Sequence, residues 1–369
     1  MVSPRHLYRL TSICLTVIVM LCGNPGSKAQ NPAPQQKSIP DKRAADLMSQ
    51  GMSLAAQGQF AQAEVVLEQA RASAPRNTEV LTALAKVKDR AGELPAAIEL
   101  FKEVADATPH SAEAHVNLAM ALADNADLNG ALAEASKAAE ISPKLAGAHL
   151  NRARILADLG RLQDARTEFT LASRLAPSNP DCFYYWALVE KENDNYAKES
   201  SLLQTVVRLQ PGNEKAFNLL GQSLFDESKE TEAIVAWRRA LTINPNSSEA
   251  TYSLSQALRN SDPQESRRLM ERFHQLQDRE KLLRQVNTLG NQAYAAMNNH
   301  QWPEAIATLR EGIGLCGDCE WQATLHKDLG LALCYSGKTH EGEDELRIAQ
   351  HLNPADPDTL RALTAISHP

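Results

Sequence analysis

Proline returns at Pro75, Pro109, Pro143, Pro177, Pro211 and Pro245, each time after 34 residues. Ahead of each proline lies an alanine-rich stretch with helical spacing of its apolar residues, and a fresh one begins behind it. Each proline therefore closes a unit, because it ends a helix without needing a backbone donor. A chain built this way grows by stacking units on their neighbours instead of enclosing one central core. Its 369 residues predict one elongated array in preference to two or three separate globular domains.

Small and large residues keep the same beat. Ala85, Ala119, Ala153, Ala187 and Gly221 let two helices approach closely from one side, and Ala97, Ala131, Ala165 and Ala233 do so from the other. Phe101, Phe169 and Trp237 fill space toward the next unit, while Gly58, Gly92 and Gly160 suit a turn with positive φ. This pattern, carried through 44–77, 78–111, 112–145, 146–179, 180–213 and 214–247, resembles the tetratricopeptide repeat. The fifth unit departs from it at Glu199, where a small residue is expected. The resemblance implies an all-α fold, a right-handed superhelical solenoid of helix-turn-helix units.

After residue 247 the register breaks. Residues 248–260 still read as a first helix, and Asp262 with Pro263 marks a helix start. Leu269, Phe273, Leu276, Leu283, Val286 and Leu289 then keep helical spacing with no proline among them. A long or kinked helix is predicted over 261–298, merging into the next repeat and joining a larger lobe to a smaller one. The charge run Asp278, Arg279, Glu280 and Lys281 reads as a solvated face with paired charges. Two repeat-like units follow within 286–356, with Gly317 in place of the proline, and 357–369 reads as a capping helix and tail.

Residues 1–29 have the order of a secretory signal: basic Arg5 and Arg9, an apolar run over 10–22, and a small-residue exit ending at Ala29. That run is short for a bilayer span, which favours cleavage after Ala29 and leaves an uncleaved anchor as the competing reading. Residues 30–43 form a Pro/Gln-rich linker, and 44–260 an array of six to seven repeats. The formal charge is -7, and Arg5, Arg9 and Lys28 lie in the leader, so the remainder is more acidic still. No basic stripe remains for a phosphate backbone, so nucleic acid is excluded as a partner. Contact with a membrane is expected only through an uncleaved N-terminal segment. Together these features predict an exported protein, periplasmic or secreted, of bacterial origin.

In the family that this chain resembles, the first helices line a concave groove. The matching positions here are Met52, Lys86, Asn117, Met120, Asn151, Arg154, Tyr184, Leu188, Asn218, Gln222 and Tyr252. Amides, thioethers and flat aromatic rings suit an extended peptide, pairing with its backbone and holding its apolar groups. Asn117 and Asn151 resemble the asparagine ladder in the repeats of O-linked N-acetylglucosamine transferase, whose amides bind peptide main chain. Two readings stand for them, a peptide contact or a hydrogen bond spanning neighbouring helices.

Cys316 and Cys319 flank the turn that lacks its proline, and three readings stand for them: a local disulfide, two free thiols, or metal or redox chemistry. The ten histidines look scattered, and no nucleophile elbow, phosphate loop or zinc pair is found. No catalysis, cofactor or metal is therefore predicted. The expected function is a scaffold that binds a peptide or partner protein in its groove. The alternatives are an adaptor of an envelope complex acting through the convex face and a thiol-redox accessory.

Overall fold

The computed structural model describes residues 39–367, so the signal-like stretch 1–29 and most of the linker lie outside the described residues. Those residues form eighteen helices and no strand. By contact they divide between two compact units, residues 1–91 and 92–369.

The first unit holds α1 (Ile39–Ala56), α2 (Phe60–Ser73) and α3 (Thr78–Ala91). Because α1 starts at Ile39, the end of the compositional linker, 39–43, is helical. All three helices touch one another around buried Ala44, Ala70 and Val80.

The second unit begins with α4 (Leu94–Ala107). Hairpins follow in order: α5 (Ala112–Asp124) with α6 (Leu128–Ile141), α7 (Ala146–Asp158) with α8 (Leu162–Leu175), and α9 (Pro180–Glu192) with α10 (Tyr196–Leu209). Next come α11 (Glu214–Asp226) with α12 (Glu230–Ile243), then α13 (Ser248–Ala257) and α14 (Pro263–Asn298). The unit ends with α15 (Trp302–Cys316), α16 (Gln322–Tyr335), α17 (Thr339–Leu352) and α18 (Pro357–Ser367). Within it each helix packs on the next one along the chain, as stacked hairpins must.

Helix ends follow from local chemistry. Two residues past most of the spaced prolines stands a polar cap: Asn77, Ser111, Asn179, Asn213 and Ser247 each accept from a backbone N–H of the first turn that follows. Between the two helices of a hairpin, one position adopts positive φ: 77° at Gly58, 74° at Gly160 and 88° at Gly337, but also 63° at Ala126 and Ser228. A side chain there carries a left-handed penalty that glycine escapes. Ala126 is exposed and takes part in no packing core, so Ala126→Gly is expected to raise stability by about 1 kcal/mol, read as a higher urea midpoint.

Packing inside a hairpin pairs a small residue on the first helix with a large one on the second. A Cβ added at Gly51 would stand 2.6 Å from Leu67, and one at Gly330 would stand 2.7 Å from Leu346. At Gly221 it would stand 2.6 Å from the Trp237 indole. Where the first helix carries alanine the partner varies: Ala153 shares a core with Phe169, and Ala119 with Ala135.

One helix interrupts the scheme. The first part of α14 completes a hairpin with α13, where Ser266 Oγ donates to the Ser255 carbonyl at 2.7 Å and the Phe273 ring lies 5.0 Å from that of Tyr252. Its last part belongs to the next hairpin, with buried Val286, Ala293 and Ala296 in one core with Ala305 and Leu309 of α15. No residue between Phe273 and Val286 is buried, and neither proline nor glycine stops the helix there. In that stretch Arg284 pairs with Glu280 one turn away.

Candidate functional site

In the second unit α5 touches α7 and α7 touches α9, α11 touches α13, and α10 packs on both α9 and α11, so the first helices follow one another as a row. Nine of the sequence-selected positions lie on that row: Asn117 and Met120 on α5, Asn151 and Arg154 on α7, Tyr184 and Leu188 on α9, Asn218 and Gln222 on α11, and Tyr252 on α13. None of the nine is buried, and Met120 and Tyr252 are exposed. In the first unit Met52 on α1 and Lys86 on α3 are also exposed.

Their hydrogen bonds divide them. Asn151 Nδ2 donates back to the Gly147 carbonyl of its own helix at 2.9 Å. Asn218 Nδ2 instead spans two helices, donating to Glu249 Oε2 of α13 at 3.0 Å, while its Oδ1 is buried without a partner. Gln222 Nε2 donates to the Asp226 carboxylate at 3.0 Å. On α7 and α9 the guanidinium of Arg154 lies 4.3 Å over the Tyr185 ring, which meets Tyr184 edge-on at 5.7 Å. This cation–aromatic group presents flat apolar faces beside one fixed positive charge.

Three buried polar devices escaped the sequence reading. The histidines are not all scattered: His115, His149 and His326 occupy one position of the repeat, and each meets a glutamate 19 residues later. Nδ1 lies 2.6 Å from Glu134, 2.7 Å from Glu168 and 2.6 Å from Glu345 respectively. His115 Nε2 also reaches the Pro109 carbonyl at 3.2 Å and His149 Nε2 the Pro143 carbonyl at 3.0 Å, tying each hairpin to the proline turn before it. The signal was the shared interval of 34 between His115 and His149 and between Glu134 and Glu168.

The second device is Glu190 on α9, 2% exposed. Arg166 of α8 donates to both its oxygens, Nε at 2.8 Å and Nη2 at 2.9 Å, Trp186 Nε1 donates at 2.8 Å, and Asn195 Nδ2 at 2.9 Å. Burial works to raise this carboxyl, but the bonds from Arg166, Trp186 and Asn195 outweigh it and hold the group below the usual carboxylate range. The first unit uses the same spacing with reversed charges, Glu64 on α2 meeting Lys88 on α3. The third device is Glu199 on α10, 1% exposed, where the matching residues Ala63, Ala131, Ala165, Ala233 and Ala305 are wholly buried.

Cys316 and Cys319 are disulfide-bonded, with Cα atoms 5.1 Å apart. The bond closes the turn after α15, where Gly317 has φ 57°. Cys182 and Cys334 are free. Burial, with Asp181 adding to it, pushes the Cys182 thiol up to about 11, which leaves it protonated and unreactive at neutral pH. Among the described residues no group of three or more His, Cys, Asp or Glu is arranged to hold a metal ion, and no helix is long and apolar enough to cross a membrane.

Helical hairpins in a 34-residue period, with small-to-large packing and a row of open first helices, define an α-solenoid of the protein-binding kind. Tetratricopeptide-repeat family models match residues 54–115 and 116–180. Over these residues the chain carries tetratricopeptide repeats. No curated protein sequence matches it. Among solved structures it resembles pilF of Pseudomonas aeruginosa at 17% identity, covering 58% of this chain and 97% of that one with a TM-score of 0.50. It also resembles YrrB, described as a protein with an unusual peptide-binding site, at 21% identity over 48% of this chain and 92% of that one, TM-score 0.43. A third similar structure is TTC0263 of Thermus thermophilus, at 21% identity over 49% of this chain and 99% of that one, TM-score 0.45. At these identities the likeness is one of fold. Proteins of this family generally act as non-catalytic scaffolds that bind protein or peptide partners.

Proposed function

We propose that this chain is an exported scaffold, without catalysis of its own, that binds an extended segment of a partner protein along the row α5, α7, α9, α11 and α13. The observation that carries the reading is that nine sequence-selected side chains lie on those helices and none is buried. The Arg154, Tyr185 and Tyr184 group supplies a place for an apolar or aromatic side chain of the partner, and the amides of Asn117 and Asn151 supply main-chain hydrogen bonds. Asn151 is engaged only with its own helix, and that bond is replaceable when a ligand arrives.

Capture of partners from an extract of the source cell tests this. Asn117→Ala with Asn151→Ala and Tyr184→Ala is expected to lower recovery at least tenfold while the helical circular dichroism stays unchanged. Val235→Ala, an exposed change on the second helix α12, serves as the control and is expected to bind as the parent does. Equal recovery from the groove variant and the parent would reject the groove and favour the other face.

Export rests on the basic, apolar and small-residue order of residues 1–29. N-terminal sequencing of the protein from its source is expected to begin near Gln30; a start at Met1 would replace the cleaved signal by an anchor. In this reading the Cys316–Cys319 bond is a staple for a turn that lacks its proline. Cys316 ends α15, and a helix C-terminus disfavours the thiolate that disulfide exchange would need.

A further inference from the structure

We propose that the joint between α10 and α11 is a proton-dependent hinge, closed when Glu199 carries a proton and loosened when it does not. Glu199 is sealed at the place where other repeats carry alanine, so its carboxyl is wedged into a contact that is normally apolar. Asp226 and Glu227 approach it from the end of α11, and Lys191 from α9. Burial works to raise Glu227, but Lys229, which pairs with Oε2 at 2.8 Å, helps hold it below the usual carboxylate range, so it stands ionised beside Glu199. On its own helix Glu199 is followed by Ser200, whose hydroxyl donates to the Ala197 carbonyl, and the Tyr196 hydroxyl is turned away to Asp194.

Burial of the carboxyl at this joint decides the direction. Ser223 Oγ donates its one proton to the Tyr196 carbonyl at 2.9 Å, which fastens α11 to the start of α10. Loss of the proton leaves a desolvated charge at the joint and sets a third negative charge beside Asp226 and Glu227, opposed by Lys191. Burial, with Asp226 and Glu227 adding to it, outweighs the opposing effects of Lys191 and Ser223 and pushes the carboxyl up to about 7. The groove residue Gln222 is bound to Asp226, so the side chain of α11 that faces the open row is tied to the same joint.

The sign follows from linkage. A carboxyl that titrates near 7 when the joint is closed and near 4.5 when open holds its proton more tightly in the closed form. Closure is fully favoured below about 4.5 and is lost as pH rises through about 7.

Amide hydrogen exchange of the full chain, corrected for the intrinsic pH dependence of exchange, tests the hinge. Between about pH 5.5 and about pH 8.5 the opening equilibrium of α10 and α11 in the parent is expected to rise about thirtyfold. In Glu199→Gln and Glu199→Ala that rise is expected to vanish; the alanine variant restores the residue of the neighbouring repeats and guards against a glutamine that fails to pack. A parent-like rise in both variants, or a rise in the parent spread evenly over the chain, would overturn the proposal. Partner binding is not measured, so this result stands apart from that of the capture experiment.

Discussion

Replacing Glu190 by alanine is expected to destabilise the protein by about 3 kcal/mol, seen as a lower midpoint in urea followed by circular dichroism. The substitution leaves the Arg166 guanidinium, the Trp186 indole N–H and the Asn195 amide without the acceptor on which all three converge. Removing one partner of a buried charged network costs more than the net worth of that network, because the groups left behind stay desolvated. The neighbouring repeats supply the compensating change. At the positions equivalent to Glu190 and Arg166 stand Leu156 with Leu132, and Leu258 with Ile234, each pair gathered in a single core. The double variant Glu190→Leu with Arg166→Leu is therefore expected to recover most of the loss seen in Glu190→Leu alone. Strict additivity of the two single changes would show that the repeats are not interchangeable in this respect.

The second large effect is expected at Gly221. An added methyl would stand 2.6 to 2.7 Å from three atoms of the Trp237 indole, a rigid ring that is almost wholly buried and donates Nε1 to the Asn218 carbonyl at 3.2 Å. The ring has no flexible end to yield, so Gly221→Ala is expected to cost about 2 kcal/mol although alanine is the better helix former. Trp237→Phe in the same chain recreates the pairing of Ala153 with Phe169 and is expected to return most of that loss. A Gly221→Ala protein as stable as the parent would mean that the hairpin spreads without penalty, and the small-to-large rule would fail.

Both predictions treat the repeats as variants of one another, and that was legible early. Proline spacing, polar residues two places later and buried alanines are local or strictly periodic signals, so the fold class could be read from them. The long helix was legible from the lack of glycine or proline between Phe273 and Val286, although its membership of two hairpins was not. Among the site residues, sequence phase selected side chains on the open row. Phase alone left open that Asn151 bonds to its own helix while Asn218 reaches across to α13, because rotamers and neighbouring carboxylates decide that.

The polar devices were missed for a different reason. Arg166 and Glu190 lie 24 residues apart and His149 and Glu168 lie 19 apart, and no short motif spans such intervals. They become visible only when the repeats are laid over one another and a position that is apolar in most of them turns charged in a few. Glu199 was visible as a departure from the pattern, but its place among Ser223, Asp226 and Glu227 was not.

The sequence by itself determined the unit length, the helix ends and the small-to-large alternation, since each depends on neighbours along the chain or one helical turn away. Only the tertiary structure decided which charges face one another, which amide is engaged and which carboxyl is sealed from water. Those outcomes depend on distances between helices and on desolvation, which arise when separate stretches of chain come together.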